Sequence, residues 1–159
     1  MAHKYPIYVI LENVRSLYNV GAMFRTSDGV GVEKIFLCGI TGQPPNNEIS
    51  KTALGAEESV EWEYEEEAVD VIDRLRGEGV QIIGVELADG AENYWEAVAE
   101  FPVCLVFGHE VEGVSEEVLA KCDKKVFVPM NGEKESLNVE AAFSTVTYEF
   151  LRKFLDGKN

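Results

Sequence analysis

Short apolar runs rich in β-formers recur along this chain, at residues 7–11, 35–38, 80–86, 103–107 and 125–128. Stretches with helical spacing lie between them. Residues 66–76 put Ala68, Val69, Ile72 and Leu75 on one face and stop at Gly77 and Gly79. Ser115 precedes two glutamates, which reads as a serine-capped helix start with acids in its first turn. From residue 136 to 155, Val139, Phe143, Val146, Phe150 and Phe154 fall at steps of four, three, four and four. That spacing predicts an amphipathic helix of about five turns. Strands alternating with helices specify an α/β fold, a mostly parallel sheet flanked by helices. In such a sheet a ligand sits at the carboxyl ends of the strands. Three runs end in loops suited to that place: 87–90 after the third, 108–113 after the fourth, and 129–132 after the fifth. Together they are expected to line one pocket.

Composition narrows the class. A chain of 159 residues with 46% hydrophobic content suits one domain with a real core, and no linker, repeat or low-complexity tract divides it. The longest apolar run, residues 101–107, is too short to span a bilayer, and five apolar residues before Glu12 do not make a signal peptide. Cys38, Cys104 and Cys122 are odd in number and contain no CxxC pair, which predicts buried, reduced thiols and a cytoplasmic setting. Fourteen Lys and Arg against 29 Asp and Glu give a net charge of −15, the opposite of a generic nucleic-acid binder. The acid is uneven. Residues 57–73 hold nine acids and no base, and are expected to form a solvated outer face. Residues 1–51 are about neutral and leave room for a local basic patch.

Three segments carry candidate chemistry. Residues 19–26, NVGAMFRT, open a helix with Arg25 about two turns in. Arg25 is either a surface residue at a helix edge or part of an anion site shared with the helix N-terminus. Residues 108–113, GHEVEG, follow an apolar run, and glycines there permit close backbone approach to a ligand. Glu110 either ties down neighbouring backbone N–H groups or meets a cationic ligand. His109 has no second histidine or acid at ligand spacing, so no metal is expected. Ser136 reads as the cap of the last helix, with Asn138 in its first turn, and this polar pair is a candidate for substrate contact.

In this order, Asn19-Val-Gly-Ala-Met-Phe-Arg25-Thr, Phe107-Gly-His-Glu110-Val-Glu-Gly113-Val-Ser, and Val128-Pro-Met130 with Ser136-Leu-Asn138-Val resemble the three motifs of the SpoU (TrmH-like) branch of the SPOUT RNA methyltransferases. Residues 51–56, KTALGA, resemble the small-residue segment after that family's second strand. The resemblance covers residues 9–151. It implies a C-terminal trefoil knot and a homodimer with the active site at the subunit interface. It implies S-adenosylmethionine as the cofactor and methyl transfer to a ribose 2′-hydroxyl of tRNA or rRNA. Carried over by position, Leu87, Gly108, Val128, Met130 and Leu137 cradle the cofactor. Asn19, Arg25, Glu110, Ser136 and Asn138 match the polar, catalytic positions. His109 departs from the family, where Asn is commoner.

The resemblance further implies a catalytic domain over residues 1–159 with no appended RNA-binding domain. RNA affinity then falls to a local basic surface of Lys4, Arg15, Arg25, Lys34 and Lys51, with Arg15, Arg25 and Lys51 as the principal contacts. Family mechanisms often make the helix arginine the base. Because arginine holds its proton in proteins, the preferred reading has Arg25 bind the adjacent phosphate and stabilise the developing alkoxide. Two further readings compete. A non-catalytic RNA- or protein-binding module on the same fold is supported by the acidic charge. A small-molecule enzyme with a nucleotide cofactor would have no use for Asn19 and Arg25.

Overall fold

The structure, a computed structural model, describes residues 2–157. Its centre is β1 (Tyr5–Glu12), whose alternate residues serve two different cores. Val9 and Leu11 point into one and Ile10 into the other, all without exposure, as the period of two in a strand requires. β1 pairs in parallel with β2 (Val32–Cys38) on one side and β6 (Val103–Phe107) on the other. Every residue of β6 is buried, which is why it reads as an unbroken apolar run rather than an alternating one. The complete parallel sheet has seven strands in the order β3-β2-β1-β6-β4-β7-β5, with β3 at Trp62–Glu65, β4 at Gln81–Val85, β5 at Glu92–Asn93 and β7 at Lys124–Phe127.

Helices cover both faces. The larger core joins the sheet to α1 (Leu17–Val30), α2 (Asn47–Ala53), α3 (Ala56–Ser59) and α6 (Val139–Gly157). The smaller core joins it to α4 (Ala68–Gly77) and α5 (Glu116–Lys121). The expected periodicity in α6 is real, since Phe143, Val146 and Phe150 are fully buried. The Phe107 and Phe143 rings pack with centroids 4.8 Å apart, fastening the start of α6 under the carboxyl end of β6. Ring pairs of this kind contribute about 0.5–1.5 kcal/mol beyond their buried area.

The structure differs from the sequence reading at the start of α6 and in the acidic stretch. α6 starts at Val139, not at Ser136, because Asn138 is the residue whose side chain accepts the first-turn N–H, from Ala141 at 2.8 Å. After β2 the chain enters α2, capped by Asn46, which accepts from Glu48 and Ile49 N–H. The two-residue β5 at the other sheet edge has no periodicity to detect. The acidic stretch is not simply a solvated face. Part of it is β3, the edge strand, where Glu63 meets Lys34 at 2.6 Å and Arg74 at 2.8 Å. Partial burial pushes the Glu63 carboxyl up, but these two cations outweigh it and hold it at about 2. Lys34 and Arg74 also lie over the Phe36 ring, at 5.3 and 5.2 Å. Charges on an exposed edge strand discourage pairing with another chain.

Cys38 and Cys104 are buried, Cys122 is half-buried, and all three are free thiols. Among the described residues no helix is long and apolar enough to cross a membrane, and no group of three or more His, Cys, Asp or Glu is placed to hold a metal ion.

Candidate functional site

β6, β4 and β7 are neighbours in the sheet, so the loops that leave their carboxyl ends emerge side by side. Together with the segment before α6 they line one open cleft. Glu86 and Leu87 come from the loop after β4, Gly108 to Glu110 from the loop after β6, and Val128 from the end of β7. The segment before α6 closes it with Glu135, Ser136 and Leu137, and Phe107, Val139 and Ala142 form its apolar floor. Of the three expected loops, those after β4 and β6 line the cleft, whereas residues 129–132 do not: the end of β7 contributes Phe127 and Val128, and residues 135–137 take the place expected of the third loop.

The loop after β6 is a tight hairpin-like turn. His109 N–H donates to Gly113 O at 3.1 Å and Gly113 N–H donates back to His109 O at 2.9 Å. His109 Nδ1 accepts from Val111 and Glu112 N–H, each at 3.1 Å, so this histidine closes its own turn. A Cβ on Gly108 would lie 2.4 Å from the Gly113 carbonyl and from Val114 N. Only glycine allows this approach, because backbone cannot yield as a flexible side chain does.

Glu110 resolves in favour of tying down backbone. Its carboxylate accepts from Arg15 N–H at 2.9 Å, Ser16 N–H at 2.7 Å and Asn19 Nδ2 at 3.4 Å. Ser16 is in turn the cap of α1, accepting from Asn19 N–H at 3.1 Å. A carboxylate here meets the unpaired N–H groups and the positive end of the helix. Partial burial pushes the Glu110 carboxyl up, but the Ser16 and Arg15 N–H groups outweigh it and hold it below the ordinary glutamate value.

Of the expected cofactor residues, Leu87, Gly108, Val128 and Leu137 line the cleft, while half-buried Met130 lies off its wall. Of the expected catalytic residues, Glu110 and Ser136 line it. Asn19 stands one hydrogen bond behind, through Glu110. Asn138 is exposed and caps α6. Arg25 is exposed on α1, off the cleft, and its guanidinium pairs with no described residue. Arg15 is likewise exposed. Lys51 is exposed but paired with Glu48 at 2.9 Å. Lys34 leaves the expected basic surface, because Glu63 and Glu61 hold it near the amino-terminal end of β2.

Two residues that shape the site went unread in the sequence, Glu12 and Glu86. Glu12 accepts from Ser115 N–H at 2.9 Å and from its hydroxyl at 2.7 Å. Glu86 accepts from Val114 N–H at 2.8 Å. Each is an acid directly at the carboxyl end of an apolar run, the same feature that singled out Glu110, and that signal could have found them.

Residues 6–148 match the SpoU rRNA Methylase family, and the chain belongs to it. It is 30% identical over 154 residues to the tRNA (guanosine(18)-2′-O)-methyltransferase of Escherichia coli K12, covering 96% of this chain and 66% of that protein. Staphylococcal TrmH-family relatives are covered over about 58–60% of their length, so the chain spans roughly three-fifths to two-thirds of these curated relatives. Its fold superposes on the A. aeolicus TrmH/SpoU tRNA modifying enzyme with a TM-score of 0.89 at 29% identity, over 99% of this chain and 79% of that one. The AdoMet-bound rRNA methyltransferase of Sinorhizobium meliloti superposes with a TM-score of 0.88 at 28% identity, over 97% of this chain and 58% of that one.

Proposed function

We propose that the protein transfers a methyl group from S-adenosylmethionine to a ribose 2′-hydroxyl of tRNA or rRNA, acting as a cytoplasmic homodimer. The observation that carries this reading is the single cleft at the carboxyl ends of β4, β6 and β7, with Leu87, Gly108, Val128 and Leu137 on its wall. The wall suits this cofactor chemically. Its apolar floor accepts a flat base, and Glu110 and Glu135 bring negative charge with no lysine or arginine among the described residues that line it. That lining favours a cation and repels a pyrophosphate. When bound, S-adenosylmethionine supplies a methyl carbon already activated by its sulfonium, so the difficult chemistry belongs to the cofactor.

The remaining tasks fall to the chain. The 2′-hydroxyl must be held in line with the methyl donor, and orientation of this kind is worth roughly 7–11 kcal/mol. Ser136 is on the cleft wall and Asn138 adjoins it, which fits contact with the ribose. Arg25 grips the phosphate next to the reacting ribose and stabilises negative charge as it develops on the 2′-oxygen. Glu110, occupied by three donors, sets Asn19 and the start of α1. Arg25 lies off the cleft of its own chain, and we place it at the cleft of a second copy. Exposed Tyr18 on α1 and Tyr148 on α6, 69% and 48% accessible, support an interface there. The threaded C-terminal knot belongs to the same proposal, supported by the segment before α6 closing a cleft made by earlier loops.

The test is transfer from labelled S-adenosylmethionine to unmodified tRNA and rRNA pools, with Arg25→Ala as control. Label in one pool, lost in the variant, is expected. Cofactor binding without label in either pool favours the non-catalytic module, and neither binding nor label overturns the reading.

A further inference from the structure

In the sheet, β6 lies between β1 and β4. Both flanking strands finish on a carboxylate, Glu12 as the last residue of β1 and Glu86 directly after β4. These two acids reach the turn after β6 from opposite sides. Glu12 holds Ser115 through two hydrogen bonds, at 2.9 and 2.7 Å. Glu86 holds the preceding residue, accepting from Val114 N–H at 2.8 Å. Gly113 makes room for it: a Cβ there would lie 1.8 Å from Glu86 Oε2. Residues 108–110 of the same turn form one wall of the cleft.

We propose that Glu86, backed by Glu12, is a positioning residue that keeps the turn over residues 108–115 in the shape the cofactor requires. It acts by accepting the Val114 N–H, not by its charge on the bound cofactor. This rests on the reading of the cleft as the S-adenosylmethionine site. The two carboxylates divide the work. Glu12 is buried and its partner Ser115 also caps α5, so it belongs to the core as much as to the turn. Glu86 is half-buried on the cleft wall, and its side chain has Val114 N–H as its hydrogen-bond partner. A buried N–H left without an acceptor is costly, so losing Glu86 frees the turn to sample other shapes while the sheet beneath it stays intact.

The experiment compares wild type, Glu86→Ala and Glu86→Gln by amide hydrogen exchange of the free protein and by calorimetric titration with S-adenosylmethionine. Glutamine keeps an oxygen that can accept the Val114 N–H and removes the charge. Expected in Glu86→Ala are faster exchange at residues 108–115 and about tenfold weaker cofactor binding, with the exchange of β1 and β6 unchanged. Expected in Glu86→Gln are exchange and affinity within about twofold of wild type. In turnover, Glu86→Ala raises KM for the cofactor and leaves kcat nearly unchanged. Unchanged exchange in Glu86→Ala overturns the proposal. So does a Glu86→Gln defect as large as that of alanine, which would assign Glu86 a charge contact with the cofactor. A wild-type protein that binds no S-adenosylmethionine overturns the reading of the cleft and this inference with it. A wild type that binds alongside an alanine variant that binds equally well overturns this inference alone.

Discussion

Replacing Glu110 with glutamine isolates the bond between the cleft and α1. The carboxylate accepts the backbone N–H groups of Arg15 and of the cap residue Ser16, at 2.9 and 2.7 Å, directly before the first turn of α1. Glutamine keeps one acceptor oxygen and turns an NH₂ towards the second donor. The loss is therefore one charge-assisted hydrogen bond, about 1.5–3 kcal/mol, plus the attraction of a carboxylate for a helix N-terminus, about 0.3–1 kcal/mol. Arg15 is exposed, so water recovers part of this. The net cost is about 2 kcal/mol, or about 4–8 °C in Tm for a domain of this size. The pH dependence has a definite sign. Because the folded protein holds the Glu110 carboxyl below its ordinary value, its contribution is complete above about pH 4.3, the ordinary glutamate value. It is lost as the pH falls through the lower folded value. Melting curves of wild type and Glu110→Gln should thus differ most at neutral pH and converge in acid. Equal Tm at pH 7, or a gap that persists unchanged in acid, refutes the reasoning.

Other perturbations probe different parts of the molecule. Ser27 is fully buried in α1 and its hydroxyl has no hydrogen-bond partner among the described residues. Ser27→Ala should therefore leave stability unchanged or raise it by about 1 kcal/mol, read from denaturant midpoints. Arg25→Ala should abolish methyl transfer while shifting stability by less than about 0.5 kcal/mol, because Arg25 is exposed and pairs with no described residue. Lys51→Ala, which only frees Glu48, should weaken RNA binding less than Arg25→Ala does in a salt-dependent gel shift. Burial pushes the Cys38 thiol up to about 12 and the Cys122 thiol up to about 11. Native protein at pH 8 should therefore resist thiol-reactive probes until denaturant opens it, since the thiolate is the reactive form.

What the sequence made legible follows its strongest periodicities. The wholly apolar β6 appears with the expected ends, because a short run of five apolar residues suits a parallel strand covered on both faces. The one-sided pattern of α4 and the long pattern of α6 were equally plain. β3 was hidden because its sequence, WEYE, carries charges that find partners only in three dimensions, on Lys34 from β2 and Arg74 from α4. The start of α6 was misplaced by three residues because Ser136 and Asn138 are both good caps, and only the backbone decides between them. At the site, the loops after β4 and β6 could be assigned to one cleft from parallel topology alone; that residues 135–137 complete it in place of 129–132 could not. That Glu110 binds the start of α1, some 95 residues away in sequence, could not. Neither could the placing of Arg25 off the cleft, which depends on how α1 lies against α2 and α6.

The central claim is that the methyl group goes to a ribose oxygen. Alkaline hydrolysis of RNA labelled by the wild-type protein tests it most directly, because cleavage of each phosphodiester requires the free 2′-hydroxyl beside it. A 2′-O-methyl group blocks that cleavage, so the label should appear in alkali-resistant dinucleotides and be absent when Arg25→Ala replaces wild type. Label released in mononucleotides would place the methyl group on a base and contradict the account.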